Sequence, residues 1–206
     1  MPIALQTQHR PPIRGPGRLL LTLTGVALLL EAWLPGATSR AGETDAPYPE
    51  YQVKAAFLYH FTKYMEWPPG AFASAGPGIV LGVLGVDPFQ GAVEDVIRDR
   101  TVEGRPLSWK RFEDPPRPGE CHVLFIGSAE QARLNKALDR LKTLPILTVG
   151  ESEAFGRAGG IAWFRLEGNK LRFAINLDAA RRAGLKISSR LLGVATVVTD
   201  RDLGAG

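Results

Sequence analysis

Few residues in this chain could do chemistry. "FLYHFTKYMEWPP", residues 57–69, sets His60 among aromatic side chains on a helical repeat and ends on Trp67-Pro68-Pro69. An imidazole there could act as a ligand, a proton carrier or a pH-sensitive contact. Metal binding lacks support, because His60 and His122 have no cysteine or second histidine at ligand spacing. "GVLGVD", residues 82–87, lies where a strand meets a helix, the place where α/β sheets bind phosphates and small ligands. It has no G-x-G-x-x-G and no Walker lysine, so its glycines read as turn or packing residues. There is no G-x-S-x-G, the serines gather at helix starts, and the carboxylates are scattered over polar faces. No nucleophile–base pair can be named. The residues therefore point away from an enzyme and require no cofactor.

The helix that carries His60 is more informative. Val53, Ala56, Phe57, His60, Phe61 and Tyr64 recur at helical spacing as one apolar stripe with His60 inside it. This predicts a core stripe and a hydrogen-bonded core histidine. A second set, Tyr51, Ala55, Leu58, Thr62 and Met65, lies on nearly the opposite side. A helix covering one sheet needs only one stripe, so the second implies a neighbouring helix, a dimer mate or another protein. Tyr51, Leu58 and Met65 are the candidate residues of that dimer or partner face. Pro68 stops the helix by disfavouring helical geometry at Trp67. Trp67 is then either a packing plug or an aromatic face offered to a small ligand.

The elements that must position these residues alternate along the chain. "GIVLGVLGV" (78–86), "CHVLFIG" (121–127) and "PILTVG" (145–150) are continuous apolar runs, expected for strands buried on both faces. Asp87-Pro88 reads as an N-cap with proline at the first helical position, opening a helix through "FQGAVEDVIRDR". "RPLSWKRF" (105–112) alternates as a more exposed strand. Ser128 is expected to cap a helix with Ala132, Leu134, Ala137, Leu138 and Leu141 on its apolar side. Ser152 starts another short helix. "GIAWFRLE" and "KLRFAINL" flank Gly168-Asn169 as a two-residue hairpin. Gly184 ends "DAARRAG" as a C-terminal cap. Together these predict a single three-layer α/β sandwich whose mostly parallel sheet carries an antiparallel C-terminal hairpin at one edge.

The N-terminus indicates the compartment. Arg10, Arg14 and Arg18 precede Leu19–Leu30, twelve apolar residues, and then a small-residue stretch through Ala41. That is the pattern of a cleaved secretory signal peptide, too short for the roughly 20 residues a membrane span needs. The expected organisation is a signal peptide over 1–41, a flexible tail over 42–50, one domain over 51–200 and a C-terminal tail over 201–206. About 160 residues remain after cleavage, enough to bury a core without staples. The net charge of +4 falls to +1 without residues 1–41, which hold four Arg and one Glu, so nucleic acid is not indicated. Cys121 is the sole cysteine, so no internal disulfide can form; it reads as a buried small hydrophobe.

"YQVKAAFLYHFTKYMEWP" and "ILTVGESEAFGRAGGIAWFRLEGNKLRFAINLDAARRAGLKISSRLLGVATVV" resemble the YfiR-like periplasmic proteins over about residues 51–198. The shared features are the aromatic helix closing on Trp67-Pro68, the Thr148-Val149 strand end, Gly159-Gly160, "FAINL" and "GLKISSRLL". The resemblance implies an α/β sandwich that often dimerises and has no known enzyme activity. It implies a periplasmic regulator that represses an inner-membrane diguanylate cyclase and is itself sequestered by an OmpA-like outer-membrane lipoprotein, so controlling cyclic di-GMP and biofilm. An alternative it also implies is a small-ligand-binding module serving a sensor kinase or outer-membrane receptor, with an aromatic ligand. Carried over residue by residue, the interaction positions are Tyr64, Glu66, Trp67, Asn176, Ser188, Ser189 and Arg190. This chain departs from the family's pattern at His60, where Asn is usual, and in having no second cysteine.

Overall fold

The computed structural model describes residues 50–72, 76–168 and 170–204. The expected signal peptide and the tail up to residue 49 lie outside them. In chain order the elements are helix α1 (Glu50–Lys63), strand β1 (Met65–Glu66), a 3-10 turn (Pro69–Phe72), β2 (Ile79–Leu84), α2 (Ala92–Ile97), β3 (Thr101–Val102) and β4 (Arg105–Phe112). Then follow β5 (Val123–Ile126), a 3-10 segment (Ser128–Arg133), α3 (Leu134–Leu141), β6 (Leu147–Gly150), α4 (Glu153–Arg157) and β7 (Ala162–Glu167). The chain closes with β8 (Lys170–Asn176), α5 (Leu177–Arg182), β9 (Lys186–Ile187), α6 (Ser189–Leu192) and β10 (Thr196–Val198). Among the described residues no helix is long and apolar enough to cross a membrane.

Eight strands form one sheet in the order β10-β8-β7-β6-β5-β2-β4-β3, and a two-stranded ribbon joins β1 to β9. Parallel pairing runs from β4 through β2, β5 and β6 to β7. The continuous apolar runs have a simple cause: alternate residues serve two different cores. Leu81, Val83, Val123, Phe125, Val149, Phe164 and Ile175 face the core that takes in α1 and α2. Leu84, Leu124, Ile126, Trp163 and Ala174 face the core of α3 and Phe155. The three-layer α/β sandwich follows.

The hairpin of β7 and β8 is antiparallel as expected, but it is not at the edge. β10 lies outside it, parallel to β8, with Thr196 opposite Ala174 and Val198 opposite Asn176. Leu203 then packs into the second core, which makes residues 201–204 part of the domain instead of a tail. Two helix starts also differ from expectation. The Asp87 carboxylate accepts the Phe89 N–H at 2.8 Å, closing a turn, and Gln90 and Gly91 take positive φ, so α2 begins only at Ala92. Ser128 caps nothing with its side chain; its segment starts as a 3-10 helix and leaves Ala132 exposed. Ser152 does cap α4, accepting from the Phe155 N–H. Gly184, at φ 71°, ends α5 with Leu185 N–H on the Ala180 carbonyl and its own N–H on Arg181, a Schellman arrangement.

α1 reverses the expected wheel. Lys54, Ala55, Leu58, Tyr59, Phe61 and Thr62 are its buried residues, with Met65 buried just beyond it; of the expected stripe only Phe61 is buried, whereas His60 is exposed and Val53, Ala56, Phe57 and Tyr64 are half-buried. His60 is therefore not a core residue. Leu58 and Met65, expected on a dimer or partner face, are inside this chain's own core, and Tyr51 is half-buried against Phe89. The helix is apolar on two sides because it meets two things: its buried arc lies on the sheet, and α2 flanks it. Phe57 and Phe61 add a cluster with Phe164 and Phe173, ring centroids 5.2 to 6.1 Å apart.

Candidate functional site

Two surfaces collect polar side chains, one at each end of α1. At its C-terminal end the chain turns straight into β1, which pairs antiparallel with β9 so that Glu66 stands opposite Lys186. The Ser188 N–H donates to the Tyr64 carbonyl at 2.9 Å, extending the pairing by one step. The Ser188 hydroxyl then caps α6 by accepting the Arg190 N–H at 3.3 Å. Tyr64 thus meets Ser188 and Glu66 meets Lys186, although 120 or more residues separate them in sequence, whereas Trp67 runs on in the direction away from Ser189 and Arg190. Glu66, Ser189 and Arg190 are exposed.

Trp67 is half-buried, and its indole Nε1 is buried with no hydrogen-bond partner among the described residues. Its ring meets Phe72 and His122 edge-on, with centroids 6.1 and 6.0 Å away. Phe72 stacks on His122 at 4.6 Å, and the Arg105 guanidinium lies 4.1 Å from the Phe72 centroid. Trp67 therefore serves as the plug that holds the Pro69–Phe72 turn against the sheet.

Asn176 is the exception among the seven expected positions. It is fully buried: Oδ1 accepts the N–H groups of Asp178 and Ala179 at 3.0 and 3.1 Å, capping α5, and Nδ2 donates to Asp200 at 2.8 Å. It belongs to the scaffold and does not join the α1–β9 patch.

His122 is the histidine that sequence reasoning passed over. It is completely buried, and its Nδ1 accepts the Val80 N–H at 3.0 Å, which makes Nε2 the protonated nitrogen. Burial holds its pKa below the ordinary histidine value; the Arg105 charge adds to this and the Ala71 carbonyl opposes it. Charging His122 would remove the acceptor from Val80 and place a cation in the core. The folded pKa is the depressed one, so this stability is complete above about pH 6.5 and is lost as the pH falls below it. Thermal melts between pH 8 and pH 5 should show a steeper fall in Tm for the wild type than for His122→Gln. Equal slopes would remove His122 as the titrating group. Its neighbour Cys121 is also buried, donates to the Val123 carbonyl at 3.1 Å, and has its thiol pushed up by burial, so it is not poised for redox chemistry.

At the other end of α1, the carboxyl ends of the parallel strands open into a cleft of about 350 Å³. Ser128 after β5, Glu151 after β6 and residues of β7 and β8 line it, to one side of β2, where the strand order switches. Lys54 is buried here, bonded to Glu50 and, at 2.5 Å, to Glu151. Glu151 also accepts the Tyr51 hydroxyl at 3.0 Å and the Ser128 N–H at 3.0 Å. Burial, the Glu151 charge and its hydrogen bond push the Tyr51 phenol up to about 12, so it remains a donor. Tyr51 was expected on an interface and Lys54 and Glu151 were not expected at all. The available signal was a lysine lying one turn before Leu58 on the buried arc, and a glutamate directly after a buried strand.

Among the described residues no group of three or more His, Cys, Asp and Glu could hold a metal ion. In comparison with known proteins, the YfiR/HmsC-like family model matches residues 51–196, from α1 to the start of β10. No curated protein matches the chain.

Proposed function

Because the chain belongs to the YfiR/HmsC-like family, we propose that it is a periplasmic regulator of cyclic di-GMP signalling that works by occupancy. Bound to the periplasmic domain of an inner-membrane diguanylate cyclase, it holds that enzyme inactive, and an OmpA-like outer-membrane lipoprotein relieves the repression by competing for it. A ligand or partner shifts such an equilibrium only by its differential affinity for the two states, so control reduces to competition and mass action. The family match over the whole sheet carries the reading. The α1–β9 patch supports it, since Glu66, Lys186, Ser189 and Arg190 form an exposed polar rim. Family members are regulatory rather than catalytic, which agrees with a site built of recognition groups.

The test is a chromosomal deletion, expected to raise cyclic di-GMP, with pull-down of the tagged protein from solubilised membranes expected to recover a cyclase. Glu66→Lys and Arg190→Glu, both on exposed side chains, should keep the wild-type Tm and lose the cyclase from the pull-down. Unchanged cyclic di-GMP together with an empty pull-down defeats the proposal.

A further inference from the structure

The cleft at the carboxyl end of the sheet is not used by that reading, and we infer that it binds a small zwitterion with an apolar side chain, of which an apolar α-amino acid is the simplest instance. The inference is independent of the regulator proposal. It begins with the Lys54 ammonium, whose side chain is 3 % exposed, held between two carboxylates of different character. Glu151 is fixed: it is 12 % exposed and is bonded by the Tyr51 hydroxyl and the Ser128 N–H as well as by Lys54. Glu50 is 46 % exposed and makes an exposed-type pair at the mouth, the kind worth little to stability.

A ligand carboxylate can take the place of Glu50 on Lys54 at small cost. Arg165 also lines the cleft but is paired with Glu167, so the Lys54 ammonium faces two carboxylates, and the ligand's own ammonium matches the surplus negative charge between Glu50 and Glu151. A plain anion would satisfy Lys54 and leave that surplus uncompensated. A plain cation would have no use for Lys54.

The walls select the rest of the molecule. Phe164, buried, forms part of the lining, and Leu171 and Leu166 complete an apolar side. Leu166 is 63 % exposed beside these charges, and a ligand side chain laid over it recovers hydrophobic free energy in proportion to the area covered. The volume of about 350 Å³ is that of a small-molecule site. Parallel sheets bind ligands outside the carboxyl ends of their strands, and Ser128 after β5 and Glu151 after β6 place this cleft there.

The full exported protein is titrated calorimetrically at pH 7 with L-leucine, 4-methylpentanoate and isopentylamine; the last two each lack one charged end. Leucine is expected to saturate the site and raise the Tm, with each analogue weaker by about tenfold or more. Leu166→Ser should weaken leucine by about tenfold without changing the Tm of the free protein. In Glu50→Gln, which cannot unfold the protein through so exposed a side chain, leucine should lose its advantage over 4-methylpentanoate. The inference is overturned if leucine shows no saturable binding up to about 10 mM, if the analogues bind equally well, or if Leu166→Ser leaves leucine binding intact. None of these outcomes bears on the deletion test of the regulator proposal, which reads cyclic di-GMP.

Discussion

Leu58→Glu is expected to abolish folding. Leu58 is completely buried in the core that joins α1 to the sheet. The substitution removes a buried leucine, worth about 2–5 kcal/mol when truncated, and puts in its place a carboxylate whose nearest cation on the buried arc, Lys54 one turn away, is already held by Glu50 and Glu151. An uncompensated buried charge costs several kcal/mol more. A domain of this size has about 5–15 kcal/mol in total. Circular dichroism and size exclusion should show an unfolded or aggregated chain, while Leu58→Met, a volume-conserving change, should cost less than about 1.5 kcal/mol. A native spectrum with a smaller hydrodynamic size would instead restore the interface reading of Leu58. The sequence places Leu58 on a second apolar side, for which Glu looks like an interface probe; the structure makes it a core probe.

Asn176→Ala is the second large effect. Its single amide satisfies both N–H groups at the start of α5 and one oxygen of Asp200, entirely out of water. Losing the cap costs about 1–2 kcal/mol, and losing the Nδ2 bond to the Asp200 carboxylate, which keeps Arg182, adds about 1 kcal/mol, so a loss of about 2–3 kcal/mol is expected from urea denaturation. The loss should have a local signature. Asp200 follows β10 by two residues and is tied to Asp178 and Arg182 as well. Amide exchange in β10 should therefore accelerate more than in β5, at the centre of the sheet. Asn176→Asp keeps the two cap acceptors but faces the Asp200 carboxylate, and should fall between wild type and alanine. Binding of a membrane partner lost without loss of stability would instead assign Asn176 to an interaction surface.

The two effects show where sequence reasoning reached its limit. Periodicity identified α1 as apolar on two sides, yet it centred the core stripe on His60, and of that stripe only Phe61 is buried, while Ala55, Leu58, Thr62 and Met65 of the second set are core. In the structure Lys54 points inward, made tolerable by Glu151, which arrives from a strand end 97 residues away. A buried charge cannot be read from sequence when its partner is that distant. The start of α2 was misplaced for a local reason: Asp87-Pro88 has the composition of a helix N-terminus, but the Asp87 carboxylate closes a turn on Phe89 and also accepts the Trp109 indole N–H at 3.0 Å. The same residue types serve either purpose, and a contact from β4 decides.

The sequence by itself determined the parallel sheet, because runs such as residues 78–86 and 123–127 are apolar at every position, which suits only strands with both faces covered. It also determined the hairpin at Gly168, the caps at Ser152 and Gly184, and the family resemblance that its ordered motifs carry. Those features are local or periodic, so their signal lies within a few residues. Only the tertiary structure decided that β10 covers the outer edge of the hairpin, that Asn176 is a clasp for the C-terminus, and that β1 meets β9 to bring Tyr64 to Ser188 and Glu66 to Lys186. It alone placed His122 under Phe72 and Lys54 on Glu151. Each of these depends on which segments pack together, and the energy of such contacts is set by burial and geometry that no stretch of sequence records alone.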